Sequence, residues 1–259
     1  MVVGLDKFRD AFAGFNDNYV IIGGTACDII LSGTDMQPRA TNDIDMIIVI
    51  ENMTEAYGKA FWKFIKDGKY VAGKRAKGDN TQAYTFYRFV TETEGYPKQI
   101  EILSRHSDIL GEPSGYPIEP LSLSENISSL SAIMMDDDNY YLTTNGRQNI
   151  DGVQIATAPV LICLKARAYL NLLEDSKNGK HIDAKDIKKH KIDVLKLIAT
   201  ASIPEPVAVS KSIYDTVMEY ADSIEQELPS QSLQDALKRS SAAIQLFVDA
   251  LKDSFVTKP

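Results

Sequence analysis

Two carboxylates separated by one residue, Asp43 and Asp45, open one of the most apolar runs in the chain. Aspartate is uncommon in strands, and because side chains alternate along a strand, both point to one face, roughly 6–7 Å apart along the backbone. Carboxylates this close repel each other unless a cation lies between them or one is protonated. Such oxygen ligands suit Mg²⁺, which binds one or two carboxylates together with substrate phosphates. The spacing suits a metal site, but taken alone it is more typical of the exposed face of a half-buried strand.

A glycine pair precedes the acids. Gly23 and Gly24, followed by Thr25, come directly after the apolar run Tyr19–Ile22. Glycine lets the backbone approach a ligand closely, and N–H groups at the start of a following helix bind anions. Arg39 lies in a basic turn between the glycines and the acids. A phosphate site beside a metal pair is therefore predicted, although a glycine pair alone is equally typical of a turn.

A third acid, Glu101, lies in the middle of the short apolar run 99–103. It is flanked by Ile100 and Ile102, so its side chain stands on the opposite face of the strand. An exposed edge position would explain it. As a third carboxylate beside Asp43 and Asp45, it would complete a metal and base site.

Alternating and helical periodicities predict the elements that position these residues. An amphipathic helix begins near Leu5, a short helix follows over 25–31, and Thr54 caps another. Strands are predicted at 19–22, 84–90, 99–103, 128–135, 140–144 and 153–156 and from Asp43 onward. The glycine-punctuated stretch 68–78 is predicted to be a polar loop, and the acidic run 136–138 a turn between two strands rather than a metal site.

From Pro159 onward the pattern switches to a helical period. Helices are predicted over 161–172, 186–199, 213–224 and 233–251. The boundary near Thr157 divides the chain into a mixed α/β domain, residues 1–157, and a helical domain, residues 158–259. The fold class is therefore α+β, a mixed sheet with flanking helices followed by a helical domain.

Composition narrows the classes of function. The 259 residues carry a net charge of −8, which disfavours a protein that coats nucleic acid through bulk electrostatics. Two local basic clusters remain, as patches or as solvated faces: Lys69, Lys74, Arg75 and Lys77, and Lys185, Lys188, Lys189 and Lys191. Cys27 and Cys163 are expected to be buried thiols. Without a membrane span or a signal peptide, a cytoplasmic protein with no membrane partner is expected.

The sequence motif GGTA followed by RATNDID, with one further acid on a later strand, resembles that of the DNA polymerase β-like nucleotidyltransferase superfamily. It looks closest to the AbiEii/AbiGii-type nucleotidyltransferase toxins of abortive-infection, or type IV toxin–antitoxin, systems. That family carries a lysine in a helix after the sheet and an aspartate about twenty residues later, which Lys165 and Asp186 match. The resemblance covers residues 19–195. The chain departs from the family pattern at two points. The gap between Gly24 and Asp43 is long, and the third acid is a glutamate, Glu101, where aspartate is commoner.

The resemblance implies transfer of an NMP from an NTP to an acceptor hydroxyl with Mg²⁺, or Mn²⁺ in its place. Asp43, Asp45 and Glu101 would hold metal, with Glu101 as a proton acceptor in the alternative. Lys165 would neutralise the triphosphate, and Asp186 would orient Lys165 or contact the nucleotide. Arg39 either braces phosphates or pairs with an acid. The implied nucleotide-binding residues are Gly23, Gly24, Thr25, Arg39, Thr41, Lys165 and Asp186.

Three functions of different classes are left open by the sequence. The first is a toxin-like transferase acting on RNA, in particular tRNA, with a cognate antitoxin protein as partner. The second is the same chemistry on a small hydroxylated acceptor such as an aminoglycoside. The third is a nucleotide-binding scaffold without turnover, which the retention of mutually repelling acids argues against.

Overall fold

The computed structural model describes residues 2–77, 84–104, 110, 118–120, 133 and 136–258. In this part of the chain a main sheet of eight strands comprises β1 Tyr19–Ile22, β2 Asp43–Ile48, β3 Val71–Lys77, β4 Tyr84–Val90, β5 Gln99–Ser104, β6 Ile118–Pro120, β7 Arg147–Ile150 and β8 Val153–Ala156. The α-helices are α1 Leu5–Ala11, α2 Gly23–Leu31, α3 Glu55–Asp67, α4 Asp137–Asn145, α5 Ala158–Lys177, α6 Ala184–Thr200, α7 Lys211–Glu227, α8 Gln231–Leu237 and α9 Ser241–Asp253. A two-stranded parallel sheet joins β9 Val207–Val209 to β10 Phe255–Thr257.

The main sheet is mixed, with the spatial order β6-β3-β4-β5-β2-β1-β8-β7. Strand β2 lies near its centre, antiparallel to β1 and parallel to β5. Its apolar residues, Ile44 and those at 46–48, are buried. Asp45 is half-buried and Asp43 is exposed. The sheet therefore holds this strand firmly while leaving its amino end open to solvent.

An aromatic layer covers one side of the first half. Phe8 and Phe12 from the α1 segment meet Tyr57, Phe61 and Phe64 from α3, with the Phe8 and Phe12 ring centroids 4.5 Å apart. All five side chains are buried. Offset and edge-to-face aromatic contacts of this kind add to the free energy gained by burial alone.

The helical half packs directly onto the sheet half. Helix α5 contacts α6 and α7, and α2 contacts both α5 and α6. One cluster of buried apolar side chains contains residues from both halves, for example Ile21, Leu164 and Leu195. The mixed α+β class, with a mixed sheet followed by helices, is confirmed, and the division into two domains at Thr157 stays a prediction.

Several predicted elements are confirmed. As predicted, Thr54 caps α3, and it does so by accepting a hydrogen bond from the backbone of Tyr57 at 3.2 Å. The predicted polar loop around Gly73 is wrong, because residues 71–77 form β3. This strand pairs with β4 from Val71 opposite Val90 onward. Its polar residues obscured the alternation in sequence. The predicted strand over 128–135 lies outside the described residues, apart from Ile133.

The predicted strand over 140–144, with a turn before it, is also wrong. Asp136 accepts a hydrogen bond from the backbone of Asn139 at 3.2 Å and caps α4 instead. Acidic residues in the first turn complement the positive end of the helix. The hydroxyl of Tyr140 accepts a hydrogen bond from the backbone of Ile50 at 3.2 Å, so tertiary contacts overrule the strand propensity of the tyrosines.

The last predicted helix is two helices. Lys238 adopts a left-handed backbone conformation with φ 53°, which ends α8, and Ser240 then caps α9. Apolar residues continue at helical spacing across this break, which is why the sequence pattern did not reveal it. Cys27 and Cys163 are buried free thiols, as predicted. Across the described residues, the helices are too short or too polar to span a bilayer.

Candidate active site

The register of the sheet brings two of the predicted acids side by side. Asp45 on β2 pairs directly with Glu101 on β5, and Asp43 pairs with Gln99. Paired residues of adjacent strands point to the same face, and the strands lie about 4.8 Å apart. Asp43, Asp45 and Glu101 therefore share one face of the sheet. Glu101 is only 2% exposed, which excludes the exposed edge position that was one explanation for this acid.

An arginine that the sequence reasoning missed compensates Glu101. Arg88 on β4 lies opposite Glu101 in the register, and its Nε donates to Oε1 of Glu101 at 2.9 Å. Gln99 donates its side-chain amide to the same oxygen at 3.2 Å. The sequence signal for this pair was the position of Arg88 between Tyr87 and Phe89 in an alternating strand. An arginine buried in a strand requires an acidic partner.

The glycine pair allows the close packing of this region. Helix α2 begins at Gly23 itself, two residues earlier than predicted, and Gly23 has φ +72°. A Cβ at Gly23 would lie 2.1 Å from Oδ2 of Asp45, and one at Gly24 would lie 2.7 Å from Nη2 of Arg39 and 3.0 Å from the hydroxyl oxygen of Thr41. Asp45, Arg39 and Thr41 thus converge on the first turn of α2.

Thr25 fastens α2 to the acid-bearing strand. It is fully buried, and its hydroxyl donates a hydrogen bond to the backbone carbonyl of Asp43. The hydroxyl hydrogen is therefore used within the protein. Thr25 fixes the distance between the glycine turn and the start of β2, on which both aspartates depend.

Lys165 lies on α5 with its side chain fully excluded from solvent. Its Nζ contacts Oδ2 of Asp193 on α6 at 2.6 Å, and Nε of Arg39 lies 3.4 Å from the same oxygen. Burial, the largest single effect, lowers the pKa of Lys165, but Asp193 and Cys27 together raise it above its ordinary value. For Asp193, burial acts upward, yet Lys165 and Arg39 bring the pKa below the ordinary range. The three groups are charged together at neutral pH.

Asp186, the predicted companion of Lys165, is placed elsewhere. It lies in the first turn of α6 and contacts Lys189 at 2.7 Å, with about half of its side chain exposed. Asp193, two helical turns later, takes the position beside Lys165. An acid between Ile192 and Val194 in an apolar helical stripe was the signal that pointed to it.

The aspartates of β2 carry an excess of negative charge. The pKa of Asp45 is raised to about 7, first by burial and then by Glu101 and Asp43, against the opposing effects of Lys165 and Lys189. Burial also raises the pKa of Asp43, with Arg39 and Lys189 acting downward. The described cations thus compensate these acids incompletely, which favours an additional cation beside them.

A closed metal cage is absent from the described residues, where no group of three or more histidine, cysteine, aspartate or glutamate side chains is arranged to hold a metal ion. Asp43 and Asp45 nevertheless fit Mg²⁺ that arrives with a nucleotide, since Mg²⁺ takes its remaining ligands from phosphates and water.

The second predicted basic cluster forms one end of α6. Lys185 and Lys188 are exposed, Lys189 pairs with Asp186, and Lys191 contacts Glu227 at 2.7 Å. Lys189 is also close enough to lower the pKa of both aspartates of β2. Of this cluster, Lys189 is the residue whose charge acts on these acids. In the first cluster, Nζ of Lys74 lies 5.5 Å from the ring centroid of Tyr87.

No protein-family model matches the chain, and no curated protein matches it significantly. Two solved structures from Helicobacter pylori are similar to it. One is of a candidate nucleotidyltransferase, with 11% identity and a TM-score of 0.37 over 95% of this chain and 92% of the other. The second is of JHP933, with 12% identity and a TM-score of 0.38 over 95% and 90%. At these low values, neither likeness carries a function over to this chain.

Proposed function

We propose that this protein is a Mg²⁺-dependent nucleotidyltransferase that moves an NMP from an NTP to the hydroxyl of an RNA acceptor, in particular tRNA. One observation carries the proposal: Asp45, paired in register with Glu101, lies against the glycine turn that begins α2. Carboxylates that need a cation and backbone N–H groups that bind anions therefore occur at one place. A metal–triphosphate complex matches both.

The aspartates of β2 would hold the metal. Mg²⁺, or Mn²⁺ in its place, would neutralise charge on the triphosphate between Asp43 and Asp45. Glu101 is held by Arg88 at 2.9 Å, so its carboxylate is fixed beside Asp45 and adds to the field that attracts the metal. Glu101 would also be placed to accept the proton of the acceptor hydroxyl.

The first turn of α2 would bind the phosphates. Gly23 and Gly24 are buried, and no side chain caps this helix start among the described residues. Arg39 and Thr41 lie against Gly24. Fixed donors of this type stabilise charge that develops when an acceptor oxygen attacks the α-phosphorus and pyrophosphate leaves.

An RNA acceptor is supported by the exposed lysines Lys185 and Lys188, which lie on the same helix, α6, as Lys189. Lys189 is close enough to lower the pKa of both aspartates of β2. Cations in the first turns of a helix oppose its dipole, so their presence there has an electrostatic cost. A phosphate backbone would offset this cost. Modification of tRNA would arrest growth, as expected of a toxin-like enzyme, and a cognate antitoxin protein would be the partner that neutralises it.

Label transfer tests the proposal. The protein is mixed with Mg²⁺, total cellular RNA and each α-labelled NTP in turn, beside an Asp43→Asn control. Label in a tRNA-sized band that the control does not give would establish the activity and identify the nucleotide. Nucleotide binding without any transfer to RNA would exclude the RNA acceptor and leave small hydroxylated compounds, which are then tested with the same label.

A further inference from the structure

Three charged side chains from three separate elements meet behind the glycine turn. Arg39 comes from the loop between α2 and β2, Lys165 from α5 and Asp193 from α6. Both cations contact Oδ2 of Asp193, at 2.6 Å from Nζ of Lys165 and 3.4 Å from Nε of Arg39. The exposed fractions of the side chains are 0% for Lys165, 4% for Asp193 and 36% for Arg39. Only the arginine reaches solvent.

The contact leaves the outer edge of the guanidinium available. Nε of Arg39 donates a hydrogen bond to Asp193. Within the described part of the chain, the two terminal amino groups of Arg39 make no hydrogen bond. Nη2 lies so close to Gly24 that a Cβ there would be 2.7 Å away. A guanidinium held by Nε presents two parallel donors, the geometry that suits a phosphate.

Charge balance explains why a lysine is buried here. Asp193 alone would neutralise Arg39, and an arginine already neutralised attracts an anion weakly. Lys165 has no access to solvent, so in this arrangement it cannot contact a ligand itself. It cancels the charge of Asp193, and the trio keeps one net positive charge at its exposed member, Arg39.

We propose that Asp193 and Lys165 are positioning residues for Arg39, which binds the triphosphate through its terminal amino groups. The inference rests on the proposed nucleotide-binding function. It differs from the role that the resemblance implies for Lys165, which is direct contact with the triphosphate. It also unites the two roles considered for Arg39, since Arg39 pairs with an acid by one nitrogen and is free to brace phosphate with two others.

The test is calorimetric binding of inorganic tripolyphosphate in Mg²⁺ buffer, which requires no turnover. Arg39→Gln and Lys165→Met are each expected to weaken binding about tenfold or more, the size of a lost charge-assisted contact. The double variant Lys165→Met/Asp193→Asn is expected to recover most of that loss. It removes both buried charges together, while the asparagine oxygen still accepts the hydrogen bond from Arg39.

A double variant that binds no better than Lys165→Met would overturn the inference, because it would mean that Lys165 contacts the phosphates directly. Arg39→Lys should bind as weakly as Arg39→Gln, since an ammonium cannot provide the fork; full binding by this variant would also overturn it. Lys191→Met is the matched control and should bind normally, because Lys191 lies on the same helix as Asp193 but forms its 2.7 Å ion pair with Glu227 on α7.

Label transfer by the same proteins separates the two proposals. If the tripolyphosphate results are as expected but no nucleotide is transferred to any acceptor, the proposed function fails and the role of the trio stands. If transfer occurs but the double variant shows no recovery in KM relative to Lys165→Met, the trio is misassigned and the function stands. Wild-type protein that does not bind tripolyphosphate would overturn the inference outright.

Discussion

Asp45 and Glu101 are paired in register on parallel strands, yet the cation that the sheet supplies contacts only Glu101. Arg88 holds Glu101 at 2.9 Å, whereas the carboxylate of Asp45 faces Gly23 and makes no hydrogen bond or ion pair with the residues that the structure describes. Two neighbouring acids thus have different electrostatic environments. This difference, and the positions of the glycines and of the buried lysine, lead to four predictions.

The stability of the protein without metal should decrease as pH rises. The folded-state pKa of Asp45 is about 7, above an unfolded value of about 3.9, so folding favours the protonated acid. The contribution of Asp45 to stability is therefore greatest below about pH 4, falls between about pH 4 and 7 and is constant above that. This group should contribute a loss of about 4 kcal/mol, measurable by urea denaturation.

The matched variant is Asp45→Asn, which should lose this part of the pH dependence and exceed the wild type in stability at pH 8. Addition of Mg²⁺ should flatten the wild-type curve, because a bound cation lowers the pKa of Asp45. Identical pH curves for wild type and variant would contradict the prediction.

Gly23→Ala should abolish nucleotide binding and reduce stability by more than its backbone conformation alone explains. Its φ of +72° is unfavourable for alanine by about 1–2 kcal/mol, and the added Cβ would displace the carboxylate of Asp45. Gly14→Ala is the control, because Gly14 has φ +86° with no atom within 4 Å of the Cβ position. Chemical denaturation of both variants isolates the steric effect, and equal losses would argue against close packing at Asp45.

Asp193→Asn should reduce the free energy of unfolding by about 3–5 kcal/mol, because it leaves the ammonium of Lys165 buried without its anion. Asp186→Asn on the same helix should cost less than about 1 kcal/mol, since its pair with Lys189 is half-exposed. Urea denaturation of the two variants distinguishes the two acids. A larger loss at Asp186 would indicate that Lys165 has a different partner.

Arg88→Met should reduce stability by about 3 kcal/mol, since Glu101 would then be a buried carboxylate without its cation. The double variant Arg88→Met/Glu101→Gln should regain much of that stability while nucleotidyl transfer stays lost. Thermal unfolding and label transfer are measured on the same samples. Recovery of transfer in the double variant would show that Glu101 has no role beyond pairing with Arg88.

The parts of the site that sequence predicted are those encoded locally. Asp43 and Asp45 alternate on a strand, and Gly23 and Gly24 follow a strand and begin a helix, so a few consecutive residues are sufficient to indicate both. The same is true of α1 and α5, whose apolar residues recur at helical spacing. The roles of these residues stay predictions. Their positions on strands and helices, however, could be predicted without knowledge of the three-dimensional fold.

The parts that sequence did not predict depend on residues far apart in the chain. Arg88 reaches Glu101 through strand register, and Asp193 reaches Lys165 through the packing of α5 on α6. Neither follows from spacing. The resemblance points to Asp186 through its distance from Lys165 in the sequence, whereas the acid that contacts Lys165 is the buried Asp193, which lies among apolar neighbours. For α4, a capping aspartate and the tertiary contacts of Tyr140 outweighed residue propensity.

The ion pairs of Asp193 have a consequence for any attempt to prepare a smaller active fragment. A protein truncated after Thr157 would keep Asp43, Asp45 and Glu101, and with them every predicted metal ligand. It would lack Lys165 and Asp193, so Arg39 would lose the acceptor that orients it, and the face of α2 that α5 and α6 cover would become exposed. If the proposed function holds, the smallest unit able to bind a nucleotide therefore extends at least through α6.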